Sequence, residues 1–276
     1  MRLPALVRWG IVAATLPFAV TAAITLALWA LPGDPADILC PPEICEGTAL
    51  LARAWNLDRG PTQFFVDWTR AAFVGDLGRS WRVMPGVPIA QLVGDALPNT
   101  LTLVGLATLG LAGGSLLGLV RGGLARLDAL WQLVGLVPAV IVALAAAAWV
   151  ELTFGLLSYD GTAGRWRLAL GVLTLVVADR ALGEAVSGTR QVFTTEFRRR
   201  YIDIARLRGE SIWANALPNV LPTLARQWRA RVLAVLSGTV VVEVVLRIEG
   251  LGQLLFQGTL RQDFGLVLAA TWLFAL

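Results

Sequence analysis

Long apolar segments separated by polar connections run along the whole chain. A bilayer core about 30 Å thick needs roughly 20 apolar residues in an α-helix, and five segments come close to or exceed that length, at about 9–31, 97–120, 130–154, 168–186 and 220–246. A sixth segment, 264–276, would reach only about 20 Å, so we expect either that the sequence stops within a sixth helix or that another element completes it. The pattern predicts an all-α, polytopic transmembrane protein with five or six spans.

The first apolar segment and the region after it set the organisation of the chain. A cleaved signal peptide usually has an apolar region of about 7 to 15 residues, and because the segment 9–31 is longer, we expect a retained helix. Residues 32–96 mix aromatic and polar positions, which is typical of short amphipathic helices at a membrane surface. The chain therefore divides into a tail with the first span (1–31), an outer segment (32–96) and a transmembrane core (97–276).

The positions of arginine predict the orientation of the chain in the membrane. All 23 basic residues are arginine, against 19 acidic residues and no histidine. Arginines occur in the N-terminal tail, between the second and third spans, and between the fourth and fifth spans, where Arg198, Arg199 and Arg200 are consecutive. Because cytoplasmic loops are enriched in basic residues, we predict a cytoplasmic N-terminus and an outer location for residues 32–96.

Composition and charge disfavour several classes of function. A net charge of +4, spread along the chain, is too small for a nucleic-acid-binding protein. Without histidine the chain lacks the commonest metal ligand and general base, and Cys40 and Cys45 are too few for a structural zinc site; we predict no metal site and no catalytic residue. If residues 32–96 face an oxidising compartment, these cysteines can form a small disulfide, and two free thiols are the alternative.

The connection 198–222 has more structure than a linker. One face of a predicted helix carries Tyr201, Ile204, Ala205 and Arg208. Gly209 follows as a helix terminator, and a second helix is predicted to begin at a serine cap, Ser211, and to lead to the prolines at positions 218 and 222. Small residues at positions 205 and 209 would let a partner's backbone approach closely, which suits docking. The alternative is an arginine-rich surface loop that maintains topology or contacts anionic lipid.

The ordered motifs of the chain resemble a family of transport proteins. The segment Ala205-Arg206-Leu207-Arg208-Gly209, followed by Asn215-Ala216-Leu217-Pro218, is similar to the cytoplasmic signature of ATP-binding-cassette importer permeases. Other stretches resemble the dipeptide, oligopeptide and nickel branch of binding-protein-dependent permeases: Leu57-Asp58-Arg59-Gly60-Pro61, Gly75-Asp76-Leu77-Gly78-Arg79-Ser80, Leu97-Pro98-Asn99-Thr100-Leu101, and Val240-Val241-Val242-Glu243-Val244-Val245 with Gly250-Leu251-Gly252. Together these motifs cover about residues 30–265.

The resemblance implies a fold, a location and a set of partners. It implies a type I importer-like permease, multi-pass in the bacterial inner (cytoplasmic) membrane and in contact with lipid. The implied partners are a second homologous permease, two ATP-binding-cassette ATPases and a periplasmic solute-binding protein. A coupling helix near 198–218 would contact an ATPase, and the implied coupling residues are Tyr201, Asp203, Ala205, Arg206 and Gly209. The chain itself would hold no cofactor, since the partner ATPases would bind ATP and Mg²⁺, and it has no GxxxxGK[ST] motif.

Charged residues within the predicted spans are candidates for transport, because each costs a few kcal/mol in a bilayer unless it faces a cavity or a partner. Arg226 and Arg229 share one helical face, and we predict that they line a positively charged inner vestibule that attracts carboxylate-bearing solutes. The alternative is that they snorkel to the cytoplasmic interface. Glu243 is a third candidate for the translocation path or gate. Arg180 and Glu184 are spaced to pair on one face of the fourth span.

These observations predict a transport subunit without enzymatic activity of its own. The function implied is that of a permease for peptides or a related small solute, with alternating access driven by separate ATPases. A stand-alone secondary transporter or channel is the alternative. Inverted repeats around broken helices would favour that alternative, and none is evident in the sequence.

Overall fold

The computed structural model describes residues 5–30, 56–119, 135–155 and 161–276, with the isolated residues 36, 48, 52, 53 and 133. Ten α-helices run through these residues. They are α1 (Ala5–Ala30), α2 (Gly60–Phe73), α3 (Ile89–Leu117), α4 (Ala139–Phe154), α5 (Gly161–Val177), α6 (Ala181–Phe197), α7 (Arg200–Leu207), α8 (Ile212–Leu246), α9 (Leu251–Leu260) and α10 (Phe264–Ala275). The described residues contain no β-strand, and the all-α fold predicted from the apolar segments is confirmed.

One compact unit comprises Met1–Leu97 and Glu249–Leu276. Within it α1 and α9 both pack against α10, and α2 packs against α1. The helix α10 is apolar around its whole circumference, as expected of a helix that is buried on most sides. Its Leu266 and Ala269 lie with Ile89 in the core of this unit. Trp272 of α10 meets Phe18 of α1 edge to face, with 5.1 Å between the ring centroids.

The buried carboxylate of Asp263 joins two distant parts of this unit. Its Oδ2 accepts hydrogen bonds from Ser80 Oγ at 2.5 Å and from the backbone N–H groups of residues 81, 82 and 83 at 2.9, 2.9 and 3.0 Å. Its Oδ1 accepts from the backbone N–H of Leu266 at 3.3 Å and so caps α10. A buried charge is tolerated when its oxygens are hydrogen-bonded in this way, so Asp263 fixes the loop before α3 to the start of α10.

The second compact unit is Pro98–Ile248. The helix α8 is central to it and packs against α4, α5 and α6. Leu103 and Leu111 of α3 share the core with Val235 and Val242 of α8. Gly171 on α5 permits the close packing, because a Cβ atom there would lie 3.0 Å from the side chains of Leu103 and Val242.

The predicted fourth span is divided into two helices. Asp179 and Arg180, between α5 and α6, both adopt left-handed backbone conformations, with φ of 50° and 61°. Asp179 Oδ1 accepts a hydrogen bond from the backbone N–H of Ala139 at 3.2 Å at the start of α4. Arg180 therefore precedes α6 outside the helical register, and no ion pair joins it to Glu184. The prediction of an Arg180–Glu184 pair is wrong for this reason.

The helix α8 runs without interruption for 35 residues through Pro218 and Pro222. A proline inside a helix removes one backbone hydrogen bond and usually costs about 3 kcal/mol. Both prolines are on the exposed side of α8, where water can reach the carbonyl groups that lose a partner. The second loop helix, predicted to lead from Ser211 to these prolines, and the fifth span, predicted at about 220–246, are therefore one continuous helix.

Membrane-crossing character is uneven among the helices. Of the residues that the structure describes, α3 is the one helix with both the length and the apolar composition to cross a membrane, while α4, α10 and Ala14–Ala30 are apolar but shorter. The helix α3 starts at Ile89 and holds Pro98 in its interior, so it begins earlier than predicted. The break after α5 and the arginines of α8 explain why those segments fall short of the same criterion. The topological division at residues 31 and 96 stays a prediction.

Candidate functional site

The loop helix α7 ends in a Schellman motif at Gly209. The backbone N–H of Gly209 donates to the carbonyl of Arg206 at 3.1 Å, and that of Glu210 donates to the carbonyl of Ala205 at 2.9 Å. Gly209 has φ of 72°, a left-handed conformation that glycine adopts at little cost. The next helix, α8, begins with the predicted serine cap, since Ser211 Oγ accepts from the backbone N–H of Ala214 at 3.4 Å. The helix–glycine–helix arrangement predicted for this loop is confirmed.

The two faces of α7 differ from the sequence-based expectation. Ile202 and Ala205 are buried within their own chain, so the small side chain of Ala205 serves the packing of α7 and is not open to a partner. The exposed apolar side chains are Ile204 and Leu207, with exposed fractions of 49% and 89%. This pair was not predicted as a surface from the sequence, although the three-residue spacing places both side chains on one helical face.

Tyr201 joins α7 to both neighbouring helices. Its hydroxyl donates to the carboxylate of Glu196 at the end of α6 and accepts from Asn219 Nδ2 of α8 at 2.9 Å. Glu196 is buried and also forms an ion pair with Arg199 at 3.0 Å. Burial and the hydrogen bond to Glu196 raise the pKa of Tyr201 above its ordinary value. The hydroxyl therefore stays protonated at neutral pH and can serve both bonds.

A cluster of three aromatic side chains also joins α6 to α8. Phe193 and Phe197 of α6 meet Trp213 of α8, with ring centroids 5.3 and 5.2 Å apart. Aromatic pairs at such distances contribute about 0.5–1.5 kcal/mol beyond their burial. The cluster and the Tyr201 hydrogen bonds hold α7 between two long helices.

The two charged residues predicted for coupling are at the surface. Asp203 and Arg206 form an ion pair at 3.7 Å, and more than half of each side chain is exposed. Such exposed pairs stabilise a protein by only about 0.2–1 kcal/mol, so both side chains remain accessible to a partner at little cost. Together with Tyr201, Ala205 and Gly209 they lie on or just after α7, as predicted, and their role in coupling stays a prediction.

A cavity of about 450 Å³ lies within the second unit, among α3, α4, α5, α6 and α8. Polar and charged residues of its lining include Asp179, Glu184, Gln191, Gln227 and Arg231. Arg226 and Arg229 are exposed and do not line this cavity. Arg231 lines the cavity, whereas Arg226 and Arg229 lie on the exposed side of α8, and their assignment to an inner vestibule stays a prediction.

Glu243, the third predicted path residue, is fully buried and away from the cavity lining. Thr100 Oγ1 donates a 2.6 Å hydrogen bond to its Oε1. This bond joins two of the motifs that sequence analysis singled out, one in α3 and one in α8. The geometry makes Glu243 a buried cross-link between helices, and its assignment to a gate stays a prediction.

Two further predictions concern the two cysteines and a metal site. Cys40 and Cys45 lie outside the described residues. Within the ranges that the structure covers, no group of three or more histidine, cysteine, aspartate or glutamate side chains is arranged to hold a metal ion.

Comparisons with known proteins identify the family. Residues 110–276 match the family described as binding-protein-dependent transport system inner membrane component. A Brucella suis protein whose name assigns it to a peptide transport system as a permease is 27% identical over 259 residues, covering 86% of this chain and 81% of that protein. The glutathione transport system permease protein GsiC of Escherichia coli is 26% identical over 271 residues, covering 94% of this chain and 87% of GsiC.

A third relative matches over a shorter region. The inner membrane ABC transporter permease protein YejB of Escherichia coli is 25% identical over 116 residues, covering 40% of this chain. The family match covers more than half of this chain and includes α7 and α8, where the helix–glycine–helix loop lies. This chain therefore belongs to the binding-protein-dependent transport system inner membrane components, and it is a multi-pass permease subunit of such a system.

Proposed function

We propose that this chain imports peptides or a related small solute, as one permease of an ATP-driven complex in which α7 receives the movement of a partner ATPase. The observation that carries the proposal is the geometry of α7: an exposed apolar pair, Ile204 and Leu207, on a helix that is firmly joined to α6 and α8. Two exposed apolar residues on one short helix suit the groove of a partner protein.

The continuity of α8 gives the movement a route to the cavity. Its 35 residues extend about 52 Å at 1.5 Å per residue. Asn219, which holds Tyr201, and Arg231, which lines the cavity, are on this same helix, about 18 Å apart along its axis. A displacement of α7 would therefore tilt α8 as a rigid body and change the access to the cavity, which is the form that alternating access takes.

The partners follow in part from the family and in part from this proposal. Permeases of this family work with ATPase subunits and a solute-binding protein. We further propose two ATPases, a second homologous permease that completes a heterodimer, and a cytoplasmic N-terminus, so that α7 faces the ATPases. The arginines that precede α7 support this orientation. ATP and Mg²⁺ would be bound by the ATPases, and the permease would contribute no covalent step.

The names of the relatives support the solute class. One related protein is named for a peptide transport system and another for glutathione transport, and glutathione is itself a short peptide. Peptides or a closely related small solute are therefore the class that we propose for this chain.

The experiment that tests the proposal changes only the exposed face of α7. Ile204→Ser and Leu207→Ser together remove the apolar pair without touching the buried face, and Leu260→Ser, at an exposed apolar position of α9, is the matched control. We expect the double variant to assemble in the membrane but to lose most of the ATPase stimulation by loaded binding protein in reconstituted vesicles. Unchanged stimulation would contradict the coupling role of α7. Transport by the purified chain without any ATPase would favour a stand-alone transporter.

A further inference from the structure

Arg231 is a buried cation on the wall of the cavity in the second unit. Its exposed fraction is 9%, and it lies about 22 Å along α8 from the end of that helix at Leu246. Among the described residues no carboxylate is within ion-pairing distance of its guanidinium. Removing a charge from water into such an environment costs several kcal/mol unless a partner compensates for it.

The partners that Arg231 does have are all neutral. Its Nη2 donates to the main-chain carbonyl of Glu184 at 2.9 Å and to Gln227 Oε1 at 3.3 Å, and its Nη1 donates to Ser115 Oγ at 3.3 Å. The ring of Trp228 lies 5.7 Å from the guanidinium carbon. A guanidinium has five N–H donors, so two of them, on Nε and Nη1, have no acceptor in the described part of the chain.

The surroundings of Arg231 are shaped around its head group. Gly188 of α6 faces the guanidinium, and a Cβ atom at that position would lie 3.2 Å from Nη2. The hydrogen bonds from three directions hold the planar group in one orientation at the wall of the cavity of about 450 Å³. The acidic residues of that wall, Asp179 and Glu184, are exposed. Glu184 attracts Arg231 electrostatically, but neither carboxylate forms an ion pair with it.

We propose that Arg231 binds the carboxylate of the transported solute within this cavity. A carboxylate is the natural occupant, because its oxygens accept charge-assisted bonds from the free N–H donors of a guanidinium and bring a counter-charge into direct contact with it. The inference rests on the proposed import of peptides and adds the group by which the membrane subunit recognises them. It replaces Arg226 and Arg229, the arginines that sequence analysis favoured, by a neighbour on a different face of α8.

Binding to the permease is measured best without the solute-binding protein, which has its own selectivity. The permease–ATPase complex is placed in lipid nanodiscs, and the dissociation constants of trialanine and of trialanine amide are determined by saturation-transfer NMR. The amide replaces one carboxylate oxygen by an NH2 group, so it lacks the terminal negative charge and one of the two oxygen acceptors. We expect the amide to bind about tenfold more weakly, the scale of a hydrogen bond to a charged group. Equal affinities, or no binding of trialanine, would overturn the inference.

Variants of the same complex assign the effect to one residue. In Arg231→Gln the difference between trialanine and its amide should vanish, while Arg231→Lys should retain at least a threefold difference because it keeps the charge. Arg226→Gln, on the exposed side of the same helix, should bind like the unaltered complex. A difference that persists in Arg231→Gln would overturn the inference even if peptide import itself is established. Conversely, if loaded binding protein did not stimulate the ATPases of the unaltered complex, the proposed function would be refuted without reference to Arg231.

Discussion

Asn219 donates a 2.9 Å hydrogen bond to the hydroxyl of Tyr201, and this bond ties the loop helix α7 directly to the long helix α8. The same hydroxyl donates to Glu196 at the end of α6, so one side chain connects three helices. Tyr201 lies before Gly209 in the sequence, and Asn219 lies after it. The hydrogen bond therefore makes α7, its glycine turn and α8 a single mechanical unit.

Removal of this hydroxyl should loosen the unit. Tyr201→Phe keeps the ring but loses two hydrogen bonds, and we expect a loss of about 1–3 kcal/mol in stability and weaker ATPase stimulation at unchanged assembly. A double-mutant cycle with Asn219→Ala, measured by thermal unfolding of the purified permease, isolates the bond between them. Additive effects of the two substitutions would show that the bond contributes nothing.

The pKa of Tyr201 gives a second, independent test of the contacts made by its hydroxyl. Its pKa is raised above 10.0, first by burial and then by Glu196. Because the folded pKa is raised, the stabilisation is fully present below the unfolded pKa and is lost as pH rises through the folded value. The chain has two tyrosines, so Tyr159→Phe leaves Tyr201 as the one tyrosine to observe by tyrosinate absorbance of the purified permease. We expect a midpoint above pH 10, and a midpoint at or below pH 10 would refute the contacts assigned to the hydroxyl.

Substitutions at Gly209 should separate backbone strain from obstruction of the partner. A Cβ atom at Gly209 would meet no atom of this chain within 4 Å, and its φ of 72° would cost most side chains about 1 kcal/mol. Gly209→Asn tolerates this conformation and should retain ATPase stimulation. Gly209→Arg adds a long side chain beside the exposed face of α7 and should uncouple ATP hydrolysis from uptake. Normal stimulation and uptake by Gly209→Arg would remove the turn from the coupling site.

The bond between Thr100 and Glu243 should matter for stability. Thr100→Val keeps the shape but removes a donor to a fully buried carboxylate, and we expect a loss of about 1–3 kcal/mol. Thr100→Ser keeps the hydroxyl and serves as the control. The measurement is thermal unfolding of each purified variant, and equal midpoints for the valine and serine variants would contradict the assignment.

The two cysteines test the orientation that the arginine distribution predicts. We expect Cys40 and Cys45 on the outer side, able to form a disulfide whose short loop gives less than the roughly 3 kcal/mol of a fifteen-residue loop. A membrane-impermeant thiol reagent, applied to intact cells before and after reduction, measures their accessibility. Labelling from the cytoplasmic side alone would reverse the predicted topology.

The features of the site that depend on neighbouring residues could be predicted from the sequence. The turn at Gly209 and the cap at Ser211 depend on residues within a few positions of each other, and the sequence shows both. Arg231 was not identified, because its burial depends on the rotation of α8 and on the space left by Gly188 of another helix. Thr100 and Glu243 were noticed as parts of separate motifs, but nothing in a single sequence indicates that they meet.

The continuity of α8 is the other feature that pattern alone did not predict. Pro218 and Pro222 are ordinarily helix breakers, and their tolerance here depends on the exposure of one side of the helix. The interpretation of α7 as presenting small residues to a partner was wrong at Ala205 for a related reason. Small residues at positions 205 and 209 suggested an approach surface, but the fold buries Ala205 and leaves Ile204 and Leu207 outside.

Site-directed cross-linking between α7 and the ATPase tests the coupling role most directly. With Cys40 and Cys45 replaced by serine, Leu207→Cys offers one thiol at a position that is 89% exposed, and Leu260→Cys on α9 is a matched control that is 67% exposed. We predict that Leu207→Cys cross-links to a co-expressed ATPase subunit, with a yield that changes on addition of ATP, and that Leu260→Cys does not. A cross-link from Leu260→Cys, or none from Leu207→Cys in an assembled complex, would contradict the assignment of α7 as the coupling helix.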